Sequence, residues 1–235
     1  MDMQVVRLGV MDYGEALCIQ QKMLKLCQQE LIPDTLLLVE HLPVITLGKR
    51  AAKENILVDK TFLNAQGITI YEIDRGGDVT YHGPGQIVGY PIVNLNHFGR
   101  DIRTFVGNIE EIFIRLLSEN FDITARKDTV HTGVWVDDEK ITAIGIAVKR
   151  WVTMHGFAFN VNTCMDHFKW IVPCGIRDKG VTSVQQLTGN TQDIDEMTTD
   201  VIRYFGEIFD VKLQTIEKND FFTTVQNTWE EQEGK

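Results

Sequence analysis

The sequence predicts an α+β fold, a mixed and largely antiparallel sheet with helices packed on it. Three observations predict it: short apolar runs joined by tight turns, long amphipathic helices inserted between groups of those runs, and no strict β-α-β alternation. At 235 residues the chain suits one sizeable domain spanning 1–235, with about 211–235 forming a terminal strand and a charged helix or tail. Apolar residues at 43% and charged residues at 24% are the balance of a folded globular protein, and no repeat or biased tract argues for a solenoid or a linker.

The elements follow in order. Asp12-Tyr13-Gly14-Glu15 reads as a capping box that opens a helix to about Leu31, stopped before Pro33. Thr35–Glu40 and Val44–Leu47 are apolar runs bounded by turn residues, hence strands. A short helix near Asp59–Ala65 ends at Gly67, and Ile68–Ile73 is a strand. The glycine-rich stretch Arg75–Gly85 reads as a polar, flexible loop between two strands, the second running through Ile87–Leu95. Asp101 to Glu119 carries Ile102, Phe105, Val106, Ile109, Phe113, Leu116 and Leu117 at helical spacing. Thr132–Val136 and Ile141–Val148 flank a hairpin-like turn at Asp137-Asp138-Glu139, and Val152–Val161 follows the turn at Lys149–Trp151. A helix near Ser183–Leu187 and a long one over Asp195–Phe209, capped by Asp195 or an earlier residue, complete the pattern.

Charge and cysteine usage exclude several functions. Lys plus Arg number 23 against 33 Asp plus Glu, a net charge of −10, which opposes non-specific nucleic-acid binding. Lys49, Arg50 and Lys53, and the pair Lys149-Arg150, are either a local basic rim for a partner or solvated surface charge. The four cysteines, 18, 27, 164 and 174, form no CxxC pair, so neither a zinc site nor a disulfide framework is expected. No signal or transit pattern opens the chain, and no apolar stretch reaches the roughly 18 residues of a membrane span. The expectation is a cytoplasmic protein without metal, with monomer favoured because no long apolar stripe is left over.

Candidate chemistry concentrates in three places. The strand from Lys140 alternates Lys140, Thr142, Ile144, Ile146 and Val148 with Ile141, Ala143, Gly145 and Ala147, so both faces are nearly apolar and the strand is central and buried. Lys140 at its start is either a base made usable by partial burial or a stem that snorkels to water. The small residues Ala143, Gly145 and Ala147, with Met154, Gly156 and Ala158 on the next strand, floor an apolar groove or admit a close helix. Cys174, between Pro173 and Gly175, can present a thiol beside free backbone N–H groups. Cys18 and Cys27 read as core packing, and Cys164 lies in a loop with no base beside it. The run Arg75 to Gln86 is neither a P-loop nor GxGxxG, yet four glycines fit close backbone approach to a ligand better than a plain hairpin loop.

RGGDVTYHGPGQIVGYP over Arg75–Pro91 resembles the signature of the octanoyltransferases of lipoate biosynthesis. Lys140-Ile141-Thr142-Ala143-Ile144-Gly145, His155 to Asn160, Pro173-Cys174-Gly175-Ile176 and Gly180 to Ser183 follow in that family's order, so the resemblance runs from about Tyr13 to Leu187. It implies the fold of lipoate ligases and of the biotin protein ligase catalytic domain. It implies Cys174 as nucleophile and acyl carrier through a thioester, and Lys140 as the base that lowers the thiol pKa. The acyl-binding set it implies is Arg75, Gly76, Gly77, Asp78, Val79, Thr80, Tyr81 and His82, then Ala143, Ile144 and Gly145, then Gly156, Phe157 and Ala158. Cys164 departs from the family, which commonly carries aspartate there. The implied reaction moves octanoyl from acyl carrier protein to the lysine ε-amine of lipoyl domains, those of 2-oxoacid dehydrogenases and the glycine cleavage H protein. It needs no cofactor of its own. The alternatives are an ATP-dependent lipoate or biotin protein ligase, an amidotransferase between lipoyl domains, and a silent acyl-binding scaffold.

Overall fold

The computed structural model describes residues 1–233; the last two residues of the predicted terminal segment lie outside them. Strand β1 (Asp2–Met11) precedes helix α1 (Tyr13–Gln28), whose cap Asp12 accepts from the N–H groups of Gly14 and Glu15. Then come β2 (Thr35–His41), β3 (Val44–Leu47), α2 (Lys60–Ala65), β4 (Thr69–Glu72), β5 (Val79–His82) and β6 (Gln86–Ile92). Helix α3 (Ile102–Phe121) leads to β7 (Arg126–Lys127), β8 (Val134–Val136), β9 (Glu139–Lys149) and β10 (Val152–Asn160). The chain ends through β11 (Gly180–Val181), α4 (Val184–Thr188), α5 (Ile194–Phe209, capped by Asp193), β12 (Lys212–Thr215) and α6 (Lys218–Glu233).

The main sheet has the order β12-β1-β2-β6-β10-β9-β8-β7, with β11 added alongside β9. The β12-β1-β2 and β11-β9 pairs are parallel and the others antiparallel. Both faces are covered. Phe113, Phe157, Phe159, Val201 and Phe205 form a core under α3 and α5, while Leu8, Leu24, Tyr90, Met154 and Phe221 form one under α1 and α6. A second, three-stranded sheet, β4-β3-β5, has its own core of Ile45, Leu63, Val79, Tyr81 and Phe168. The predicted α+β class with a mixed sheet is the class observed.

Four details differ from the sequence reading. Strand β1 was not predicted: it is buried on both faces, and a register shift between Arg7 and Gly9, with Gly9 at φ 70°, breaks its alternation. The stretch Arg75–Gly85 is not a flexible loop, because it contains β5. Its glycine-rich part is also fastened: the N–H groups of Gly48, Lys49 and Arg50 donate to the carbonyls of Asp78, Arg75 and Gly77. Cys18 is exposed although Cys27 is buried, since nine residues at about 100° each place them on opposite sides of a helix.

The fourth difference positions the site. Alternation puts Lys140 and Ala143 on opposite faces of β9. In the sheet, however, Val134 faces Thr142 and Trp135 faces Lys140, so β9 carries one extra residue, Ile141, in a β-bulge. Ile141 joins the core under α3, and Lys140 turns to the side that Ala143 lines. From Ala143 to Ile146 the strand is half-buried rather than buried, because a cavity opens over it.

Candidate active site

Lys140 and Cys174 meet. The lysine Nζ lies 3.3 Å from the Cys174 Sγ, and donates at 3.0 Å to the Thr132 carbonyl. The same Nζ sits 4.8 Å from the centroid of the Trp135 ring, a face that favours the charge it gains on taking a proton. Gly133 lets the bend before β8 pass this close, since a Cβ there would stand 2.6 Å from the Thr142 carbonyl oxygen. Cys174 follows Pro173 in a single 3-10 turn and takes a left-handed conformation, φ 57° and ψ 13°. That region is sparsely populated by non-glycine residues and costs roughly 1 kcal/mol or more, which the surroundings must offset.

The pair stands at the wall of a cavity of about 520 Å³, lined among others by Arg50, Asp78, Val106, His131, Ile146 and Ile176. Gly76, Gly77, Ile144, Gly145 and Cys174 also line a narrow inner slot of about 50 Å³ with Tyr13, His82, Val88, Tyr90 and Ala158. The predicted small-residue floor is present: Ala143 pairs with Ala158, Gly145 with Gly156 and Ala147 with Met154 across the β9-β10 ladder. The two glycines differ in what they admit. A Cβ on Gly145 would meet the Gly76 carbonyl oxygen at 2.8 Å, so the glycine-rich loop closes over the floor there. A Cβ on Gly156 would meet the Gly89 carbonyl oxygen at 2.1 Å, so that glycine admits β6 rather than making room for a ligand.

Most of the predicted set converges. Arg75, Gly76, Gly77, Thr80, His82, Ala143, Ile144, Gly145, Gly156, Phe157 and Ala158 line the slot, and Asp78 lines the outer cavity. Val79 and Tyr81 do not. Successive residues of β5 point to opposite sides, which sends both into the core of the small sheet, where the Tyr81 hydroxyl bonds His167 Nδ1 at 2.6 Å. Of the predicted basic rim, Arg50 lines the cavity, whereas Lys149 is spent on an ion pair with Asp74.

The slot is unusually polar behind its glycines. The Arg75 guanidinium, only 9% exposed, donates to the carbonyl and hydroxyl of Thr46 and to the Gly76 carbonyl. Burial lowers its pKa, and among the described residues no carboxylate forms an ion pair with it. Burial, then the neighbouring His41, pushes His82 down to about 3, and burial takes His41 to about 4, so both imidazoles are neutral at pH 7. His82 Nδ1 bonds the Gln86 side chain at 2.7 Å, and Gln86 donates onward to Asn160 at 2.8 Å. Burial raises Tyr13, which stacks on His82 with ring centroids 6.0 Å apart. His155 Nε2 bonds Asp74 at 3.0 Å. Burial disfavours the charged form of Asp74, but hydrogen bonds from Lys149 and His155 hold its pKa down to about 2.

Sequence reasoning missed Tyr13, Thr132, Trp135 and Tyr90, which wall the slot or hold Lys140. Two of them had a signal: Tyr13 lies just inside the predicted cap of α1, and Tyr90 falls in the quoted motif Arg75–Pro91.

Residues 12–206 match the model of the lipoyl protein ligase A/B catalytic domain. An octanoyltransferase of Desulforamulus reducens is 54% identical over 217 residues, covering 92% of this chain and 95% of that one. One of Caldicellulosiruptor saccharolyticus is 51% identical, covering 94% of each. Among solved structures, a lipoate-protein ligase A bound with ATP superposes with a TM-score of 0.77 at 17% identity, over 98% of this chain and 95% of that one, a likeness of fold.

Proposed function

We infer the chemistry from one premise: the chain belongs to the lipoyl protein ligase A/B catalytic-domain family and is an octanoyltransferase. Octanoyl arrives as a thioester on the phosphopantetheine arm of acyl carrier protein. The Cys174 sulfur gives its proton to Lys140 and attacks the thioester carbonyl. The tetrahedral oxyanion is received by backbone N–H groups at the cavity wall. Those of Gly77 and Asp78 are candidates, since among the described residues no acceptor takes them. The carrier thiolate leaves with the proton that Lys140 holds, and octanoyl remains on Cys174.

The ε-amine of a lipoyl-domain lysine then attacks this acyl-enzyme. Its proton passes through Lys140 back to the departing Cys174 sulfur, and an amide results. A thioester lies above an amide in free energy, so the exchange runs without ATP, without a metal and without a resident cofactor. A reduced thiol suits a cytoplasmic setting. The alkyl tail lies over Ala143 and Ala158, beside the point where the loop closes on Gly145, with neutral His82 and Tyr13 beyond.

The observation that carries this reading is the 3.3 Å approach of Lys140 Nζ to Cys174 Sγ at the wall of the cavity, a distance at which a proton can pass. Incubation with octanoyl carrier protein and measurement of the intact mass tests it. One octanoyl increment is expected on the wild-type enzyme and on Cys164→Ala, and none on Cys174→Ala. Turnover with no increment refutes the acyl-enzyme, and turnover that depends on ATP points to a ligase.

A further inference from the structure

The reading of Cys174 as nucleophile leaves open what holds the sulfur at Lys140. Cys174 and Gly175 are consecutive left-handed residues, φ 57° and φ 70°. The turn itself is closed by the Gly175 N–H on the Val172 carbonyl at 2.9 Å and the Ile176 N–H on the Pro173 carbonyl at 3.0 Å. Those bonds shape the turn but do not fix its place relative to β9, which carries Lys140.

Asn55 supplies that fastening. It lies in a 3-10 turn (Lys53–Asn55) before α2 and is only 8% exposed. Its backbone N–H donates to the Ala52 carbonyl, and its own carbonyl accepts from the Val172 N–H at 2.7 Å, just ahead of the cysteine turn. Its side-chain Nδ2 donates at 2.8 Å to Asp78 Oδ2 in the glycine-rich loop. The other Asp78 oxygen accepts from the Val79 N–H at 2.7 Å, and its carbonyl accepts from Gly48. Gly175 rests against this pair: a Cβ there would stand 2.5 Å from Asp78 Oδ2 and 3.3 Å from Asn55 Nδ2. One residue thus joins the two, its side chain holding the loop that walls the cavity and its carbonyl holding the segment that leads into the turn carrying the thiol.

We propose that Asn55 is a positioning residue for the nucleophile, clasping the Cys174-Gly175 turn to Asp78 so that the sulfur stays at Lys140. It touches no substrate and acts through Asp78 and Val172. The proposal rests on Cys174 being the acylated residue. A misplacement of about 1 Å costs on the order of 10²-fold in rate, which sets the scale of the test.

The test is the single-turnover rate of acylation by octanoyl carrier protein, with substrate concentration varied to separate kcat from KM. Asn55→Ala is expected to acylate about 10- to 100-fold more slowly, with KM for the carrier changed less than about twofold. Asn55→Asp sets two carboxylates against each other and is expected to lose more, regaining rate as the pH falls and the pair shares a proton. Adding Asp78→Asn to Asn55→Asp restores a donor and an acceptor with their roles exchanged, and is expected to recover about tenfold over the single variant. This exchange decides the matter should Asn55→Ala fail to fold. Acylation of Asn55→Ala within about twofold of wild type overturns the clasp, as does an exchange variant no faster than Asn55→Asp. A wild-type enzyme that gains no octanoyl mass instead overturns the acyl-enzyme reading, and the clasp's role with it.

Discussion

Cys27 and Cys174 carry the same thiol in opposite settings. Cys27 is buried in the core under α1, with its sulfur 3.7 Å from the Asp34 carboxylate, and burial followed by that negative neighbour pushes its pKa up to about 12. Cys174 is half-buried on a strained turn beside a cavity, and its sulfur lies against the Lys140 amine, which turns positive on taking the thiol proton. At 2% exposure Cys27 offers an incoming carbonyl carbon almost no surface, and the cavity beside it is walled by Asp34, Glu30 and His97 rather than by a base aimed at the sulfur. A left-handed turn between proline and glycine gives it an exposed face and a cationic partner. The contrast teaches that reactivity resides in the sign of the neighbour and the access around the sulfur.

The strongest way to break the comparison is to remove the positive neighbour. Lys140→Met keeps the stem and deletes the amine, so octanoyl transfer is expected to fall about 10²- to 10⁴-fold, the usual contribution of a positioned acid–base group. Cys27→Ala leaves the cavity untouched and is expected to transfer within about twofold of wild type. Steady-state rates with octanoyl carrier protein and a lipoyl domain measure both. A Lys140→Met enzyme with normal turnover would remove the distinction drawn here between the two thiols.

Access is the second half of the contrast, and Gly145 controls it. A valine there would drive its Cβ toward the Gly76 carbonyl, 2.8 Å away, and force the glycine-rich loop off the floor. Overpacking of this kind costs about 1–3 kcal/mol, or roughly ten- to a hundredfold in rate if it falls on the bound acyl chain. Gly145→Val is therefore expected to weaken transfer of octanoyl more than of a two-carbon acetyl group, measured as the ratio of kcat/KM for the two thioesters.

How much of this was legible in the sequence depends on what kind of signal each part leaves. Amphipathic helices α1, α3 and α5 announce themselves by spacing and caps, and the hairpin of β8 and β9 by its polar turn. Alternation also put Ala143 and Gly145, and Gly156 and Ala158, on the small-residue faces of adjacent strands, though the register that pairs them came from the structure. Alternation failed where a bulge intervened. Ile141 in β9 turns Lys140 toward Ala143, and the shift near Gly9 hid β1. Lys140 and Cys174, 34 positions apart, came together only through the motif resemblance, because side-chain convergence across a fold has no local pattern. Asn55 left no mark at all: one amide in a short turn reads as surface until Asp78 and Val172 are seen beside it.

A smaller effect concerns stability. Cys27→Ala removes a buried sulfur and its contact with Asp34, and is expected to cost about 1–2 kcal/mol at neutral pH. The cost depends on pH with a definite sign. The folded-state pKa is raised, so the protonated thiol's contribution is complete below the unfolded value near 9 and is lost as pH climbs toward about 12. Urea unfolding at pH 7 and pH 10 should therefore show a smaller gap between wild type and Cys27→Ala at the higher pH. A gap that widens would mean that burial and Asp34 do not hold the thiol protonated as the structure arranges it.

The smallest effect on activity is expected at the outermost thiols. Cys18 and Cys164 are exposed, Cys174 is half-buried and Cys27 is buried. Brief alkylation of the folded enzyme should therefore modify Cys18, Cys164 and Cys174 and spare Cys27, which reacts only in denaturant. Cys18→Ala and Cys164→Ala remove two labels while leaving octanoyl transfer within about twofold. In that double variant, prior incubation with octanoyl carrier protein should abolish the remaining label, because an acylated sulfur cannot be alkylated. Peptide mass mapping reads each site separately. Labelling of Cys27 ahead of Cys174 would invert the order that burial and the neighbouring charges dictate, and a Cys174 still alkylated after acylation would place octanoyl elsewhere.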